Sequence, residues 1–116
     1  MAKSLMDILI EQAKEREKYF ENYLFYAKEV KKIVEKLLGK TRVFVFGSIL
    51  KKKKIARDID VLIVSPKLKS IDQKSKILAK LWQKLGINNP FEFHLITPEE
   101  YENWYRYFLK EKIEIK

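Results

Sequence analysis

Two short runs limit what this chain can fold into. Arg42-Val43-Phe44-Val45-Phe46 and Asp58-Ile59-Asp60-Val61-Leu62-Ile63-Val64 are dense in β-branched and aromatic residues, and each is closed by turn formers, Gly47-Ser48 and Ser65-Pro66. Runs this apolar read as strands buried inside a sheet rather than as strands with one wet face. Phe91 to Ile96, after the Asn88-Asn89-Pro90 turn, alternates as a third strand, and Lys112 to Lys116 alternates as a short edge strand or a frayed end. A buried sheet needs cover, and the intervening segments have helical patterning. The expected fold class is α/β (α+β), with a small mixed sheet of three to four strands flanked by helices in the order α-(α)-β-β-α-β-α.

The first helical segment is long. Leu5, Ile8, Leu9, Phe20, Tyr23, Leu24, Ala27, Val30, Ile33, Val34, Leu37 and Leu38 recur at helical spacing, and neither proline nor glycine interrupts them before Gly39. One straight helix over 4–38 would span about 50 Å, too long for a domain of this size, so a break is expected in the polar middle near residues 15 to 21. Ser70 and Gln73 form a capping box, and Ile71, Leu78, Leu81, Trp82 and Leu85 then mark one helical face ending at Gly86. Thr97-Pro98-Glu99-Glu100 is a second capping box, opening a helix from 98 to about 110. That helix is crowded by Trp104, Tyr105, Tyr107 and Phe108, expected to be mostly core with some left for a dimer or partner face. No linker or repeat divides the chain, which reads as one domain, 1–116, with residues 1–38 an N-terminal helical segment.

Composition excludes several classes. With no cysteine there is no disulfide, thiolate metal site or cysteine nucleophile, and one histidine excludes a multi-histidine zinc site. No stretch approaches the roughly 18 apolar residues of a membrane span, and Asp7 and Glu11 sit where a signal peptide would be uncharged. A cytoplasmic location is expected. The net charge of +9 is uneven: residues 49 to 84 carry eleven Lys/Arg against Asp58, Asp60 and Asp72. This stretch should attract polyanions, unless it is a solvated lysine surface.

The chemistry concentrates where the strands end. After Val45-Phe46, Gly47 lets the backbone approach a ligand, and the neighbouring N–H groups with the Ser48 hydroxyl suit a phosphate, above all where a short helix begins near Ile49. Asp58 and Asp60, two apart on a strand, point to the same side, while Ile59 and Val61 point to the other. Two carboxylates side by side repel and call for a dication, and hard oxygen ligands select magnesium or manganese over zinc.

Together these pieces resemble the DNA polymerase β superfamily of nucleotidyltransferases, whose fingerprint is a strand, Gly-Ser, a spacer of about ten residues and Asp-x-Asp opening the next strand. Here nine residues separate Ser48 from Asp58, and the resemblance covers residues 33 to 110 or so. It implies the nucleotidyltransferase fold and two-metal catalysis, with Mg²⁺ or Mn²⁺ held by Asp58, Asp60 and a third acid on the following strand. Glu92, the only acid in Phe91–Ile96, takes that third position, where the family more often has aspartate, and it would help activate the acceptor hydroxyl. His94 shares its face and could contact a phosphate or base, the alternative being a partly buried structural histidine. Gly47 and Ser48 would hold the outer phosphates of a nucleoside triphosphate. Lys51 to Lys54 and Arg57, on the connection between the motifs, could neutralise its charge.

Larger relatives carry a separate helical domain. This chain resembles instead the minimal nucleotidyltransferases of bacteria and archaea, which often pair with a helical protein of the HEPN class. In some pairs the nucleotidyltransferase is an antitoxin that adds AMP to a tyrosine of a ribonuclease toxin. The function expected is transfer of a nucleoside monophosphate, AMP first, from an NTP to a hydroxyl acceptor such as a tyrosine of a HEPN-type partner. The alternative is a catalytically weak nucleotide- or partner-binding module of the same fold. A nucleic-acid-binding protein ranks last, since it leaves the paired aspartates facing phosphates without purpose. Homo-oligomerisation is left open.

Overall fold

The computed structural model describes residues 2–51 and 55–116, and its four strands form one mixed sheet in the order β3-β2-β1-β4. β1 (Arg42–Phe46) runs antiparallel to both β2 (Ile59–Val64) and β4 (Lys112–Glu114). β2 and β3 (Phe91–Ile96) are parallel, and α3 (Ile71–Leu85) makes the crossover between them. The expected fold class holds, and the C-terminal tail is an edge strand rather than a frayed end.

The sheet's alternation sorts its residues onto two faces. On one face Val43, Val45, Ile59, Val61, Ile63, Phe91 and Leu95 form the main core with α1 (Leu5–Glu21), α2 (Tyr23–Leu38) and α3. On the other, Phe44, Leu62, Val64 and Ile96 pack with Tyr101 from the last helical run. That run is continuous over 98–108 but not uniform: α4 (Pro98–Glu100) passes into π geometry at Tyr101–Tyr105 and closes in α5 (Arg106–Phe108). It starts at the capping box of Thr97 and Glu100, as expected, and ends two residues short of 110.

The break in the N-terminal segment falls at Asn22, just past the expected 15–21. Tyr19 is the reason. It is buried against Tyr26, with ring centroids 4.6 Å apart, and against Phe91 at 6.0 Å, and its hydroxyl donates to the Leu85 carbonyl. The helix must stay intact through Tyr19 and can turn only afterwards. At Asn22 the backbone leaves helical values (φ −118°, ψ 32°), and the side-chain amide caps the Lys18 carbonyl at 2.9 Å. Ser4 and Asp7 form a capping box at the start of α1.

Three expectations about packing are corrected. Ile71 and Trp82 are exposed, and the buried face of α3 is Ile77 and Leu81 with Leu78 and Leu85 beside them. Trp104, Tyr107 and Phe108 are exposed rather than core, because the π turn aims Tyr101 alone fully into the sheet and leaves Tyr105 half-buried. The apolar residues at the start of α1 also lie in solvent. The radius of gyration, 15.5 Å, exceeds the roughly 13 Å of a compact chain of this length because the first half of α1 overhangs. No helix among the described residues is long and apolar enough to cross a membrane.

Edge strand β4 is held at its end by a two-pronged ion pair, Arg42 Nε and Nη2 each 3.0 Å from a Glu114 carboxylate oxygen. The Arg42 guanidinium also lies over the Phe44 and Tyr101 rings. The hydrogen bonds from Arg42 hold the Glu114 carboxyl below the usual carboxylate range. A depressed folded pKa stabilises above the unfolded value and is lost as pH falls through the folded one. Glu114→Gln should therefore cost about 0.5–1 kcal/mol at neutral pH, the scale of a partly exposed pair. The difference in melting temperature from wild type should shrink towards zero as pH drops below the carboxylate range.

Candidate functional site

Asp60, Leu62 and Val64 share one face of β2, and Glu92, His94 and Ile96 share the same face of β3. The parallel register sets Asp60 beside Glu92 and Leu62 beside His94. The helical run 98–108 covers the apolar end of this face and stops short of the polar end. Asp60, Glu92 and His94 are left together there, with one ligand atom from each lying within 4.8 Å of the other two. At that separation two carboxylates repel by about 1 kcal/mol in bulk water and about 3 kcal/mol at the effective dielectric of a protein surface. Two carboxylate oxygens with an imidazole nitrogen this close make a candidate cation site by donor chemistry.

Each group is held differently. His94 Nε2 lies 3.2 Å from Asp60 Oδ1, and the imidazole sits between Phe46 (centroids 5.1 Å apart) and Tyr105 (6.5 Å). A protonated Nε2 donates to the carboxylate and fixes its rotation. The other Asp60 oxygen lies under Gly47: a Cβ built on that glycine would collide with Oδ2. Gly47 is at φ 85°, ψ −156°, a region open essentially to glycine alone, so both backbone and space demand it. Glu92 is exposed and makes no side-chain hydrogen bond among the described residues. Asp58 is exposed one residue ahead of β2 and is not one of the three clustered groups; the strand that was expected to begin with it begins at Ile59.

The Gly47-Ser48 turn opens into a single 3₁₀ turn, Ser48–Leu50, the short helix expected near Ile49. Lys51 lines a cavity of about 340 Å³ beside Gly47, facing Phe108 and Lys110 across it. Lys110 was not singled out in the sequence, because only the return of the chain into β4 brings it there. Arg57 is exposed, and its carbonyl accepts from Arg16 of α1 at 2.9 Å, which ties α1 to the connection before β2. Lys52, Lys53 and Lys54 lie outside the described residues.

A carboxylate cluster beside a Gly-Ser turn at one end of a small mixed sheet places a candidate cation site next to backbone that suits a phosphate. The comparisons give the family. Residues 27–115 match the model of the nucleotidyltransferase domain. Two crystal structures of putative nucleotidyltransferases are similar in fold. The first is 28% identical with a TM-score of 0.66, covering 78% of this chain and 98% of that one. The second, from Sulfolobus solfataricus, is 17% identical with a TM-score of 0.58, covering 86% of this chain and 85% of that one, and supports the fold alone. No curated protein matches the chain. The chain belongs to the nucleotidyltransferase domain family and is a nucleotidyltransferase with a nucleoside triphosphate as substrate.

Gly47→Ala tests the close approach. Gly39 has similar backbone angles (φ 77°, ψ −151°), but a Cβ there meets nothing within 4 Å. Both alanine variants should lose stability, on the order of 1–3 kcal/mol from backbone strain. Gly47→Ala alone should also displace Asp60 and cut nucleotidyl transfer at least about tenfold, as a misplaced catalytic group does. Equal activity in the two folded variants would mean that the contact with Asp60 does not matter.

Proposed function

We propose that this nucleotidyltransferase is magnesium- or manganese-dependent and moves AMP from ATP to a hydroxyl acceptor, a tyrosine of a HEPN-type helical partner. The observation that carries the reading is the convergence of Asp60, Glu92 and His94 beside the Gly47-Ser48 turn. Asp60 and Glu92 would hold the ion, with Asp58 reaching in from the residue before the strand. Magnesium or manganese bound there would polarise the transferred phosphate and bear the charge of the leaving pyrophosphate.

The chain's own groups divide the remaining work. Gly47 and Ser48 offer backbone N–H groups and a hydroxyl to the outer phosphates. Lys51 and Lys110 add positive charge along the cavity, which Glu111 also lines, and Arg57 adds its charge from the exposed connection before β2. His94 serves as the orienter of Asp60 rather than as a contact to the base, since its Nε2 is already directed at Oδ1. Glu92, exposed and unpaired among the described side chains, is free to take the acceptor's proton. Phe108 lines this cavity and Trp104 and Tyr107 of the same helical run are also exposed, and exposed aromatic rings favour a protein acceptor over a small molecule. The antitoxin role rests on resemblance to the minimal, HEPN-paired members.

Incorporation of labelled AMP into a co-expressed HEPN-type partner tests the reading. Transfer should require Mg²⁺ or Mn²⁺, stop in EDTA and be absent in Asp60→Asn. Glu92→Gln should bind ATP nearly as wild type does, yet transfer about 10²–10⁴-fold more slowly, the usual weight of a general base. Unchanged transfer in Glu92→Gln would assign the proton to another group. Tight metal-dependent binding without transfer to any acceptor would favour the weakly catalytic binding module.

A further inference from the structure

The two parallel strands that carry the acids of the site enter the sheet at the same end, and α1 contacts both entrances. Arg16 Nη2 donates to the Arg57 carbonyl at 2.9 Å, just ahead of β2. The neighbouring Glu15 carboxylate accepts from Asn88 Nδ2 at 3.3 Å, in the turn before β3. The entrances are also joined to each other, since the Ile59 amide donates to the Pro90 carbonyl at 3.0 Å.

The two contacts differ in what else supports the chain there. Before β3, Asn89 bonds through its own side chain to the Gly86 carbonyl and the Phe91 amide, so Glu15 adds to a turn that is already held. Before β2 there is no such turn. Among the described residues, 55–58 make no hydrogen bond besides the one from Arg16. Packing does not fix them either: Ile55 is 97% exposed, and Ile55 and Ala56 border a cavity of about 490 Å³ that Arg16 and Phe20 also line. Arg16 is the anchored partner, because its guanidinium lies over the Phe20 ring, 5.9 Å from the centroid, and Phe20 packs against the core. Asp60 needs no such anchor, being paired in the sheet on both sides and in contact with His94. Asp58 lies one residue ahead of the strand, and its direction follows the backbone at Arg57.

We infer that Arg16 is a positioning residue of the nucleotide site: by holding the Arg57 carbonyl it sets the backbone from which Asp58 reaches the ion gathered by Asp60 and Glu92. This role rests on Asp58 being a ligand to that ion, as proposed above. Arg16 acts through the main chain, from a helix on the opposite face of the sheet, and its guanidinium is spent on the carbonyl and the Phe20 ring rather than on a phosphate.

Mn²⁺ binding to the full chain without nucleotide, followed by the electron paramagnetic resonance signal of the free ion, tests this, with folding checked by circular dichroism. Arg16→Ala should weaken Mn²⁺ about tenfold, the lower end for a group that orients a metal ligand, although loss of a cation would by charge alone favour binding. Arg16→Lys, which keeps a donor, should fall between wild type and Arg16→Ala, and Glu15→Ala should bind nearly as wild type does. Arg16→Ala combined with Asp58→Asn should lose no more affinity than Asp58→Asn alone, because the two changes remove one contribution. Wild-type affinity in Arg16→Ala beside a weakened Asp58→Asn overturns the inference and leaves the metal site standing. Losses that add in the double variant, or a Glu15→Ala as weak as Arg16→Ala, overturn it as well, since Arg16 would then support the fold as a whole. Wild-type affinity in Asp58→Asn removes Asp58 from the ion and the role of Arg16 with it, while Asp60→Asn shows separately whether the ion site itself stands.

Discussion

The Asp60 carboxylate is the point on which the site depends. One of its oxygens meets His94, and the other lies where only a glycine leaves room. Two registers bring these neighbours together, Phe46 opposite Asp60 across the antiparallel pair and Asp60 beside Glu92 across the parallel one. A slip of one residue in either would turn the acids into the apolar core and the core residues into solvent. The hydrophobic pattern that builds the sheet therefore also aims the clustered polar groups, because Ile59, Val61 and Ile63 can be buried against the helices only if Asp60 faces the other way.

Most of this was legible in the sequence for that reason. The runs 42–46 and 59–64 carry no polar residue on the core face, so strand, burial and side were readable together, and the alternation of Phe91 to Ile96 put Glu92 and His94 on one side. Capping residues announced two helix starts, since Ser70 and Thr97 each satisfy orphan amides locally, while the equivalent cap at Ser4 was not singled out. What failed depended on contacts between distant segments. The break at Asn22 is decided by Tyr19 packing on Phe91, some seventy residues away. The exposure of Trp104, Tyr107 and Phe108 follows from the π turn, for which the sequence gives no local signal. His94 was recognised as facing the site, but its contact with Asp60 needed the lateral stagger of two strands, which alternation does not give.

The distribution of charge acquires a structural meaning as well. Among the described residues, Lys51 and Lys110 line the cavity beside Gly47, and Lys18, Lys32, Lys36, Lys80 and Lys84 line a groove between α2 and α3, while Lys67, Lys69, Lys74 and Lys76 among others line neither. The first basic region stands beside the carboxylates and suits a polyphosphate that arrives with its cation. The second stands beside the apolar floor of Tyr26, Ile33, Leu37 and Leu85.

The central proposal is that Asp60, oriented by His94, gathers with Glu92 one divalent ion next to a bound triphosphate. His94 is the chain's single histidine, so its imidazole ring protons give unambiguous NMR signals. Mn²⁺ added at substoichiometric amounts, together with a non-hydrolysable ATP analogue, should broaden those signals ahead of the exposed Tyr107 ring, and the broadening should disappear in Asp60→Asn. Signals of His94 that broaden no sooner than those of Tyr107, or that broaden equally without Asp60, would contradict the account.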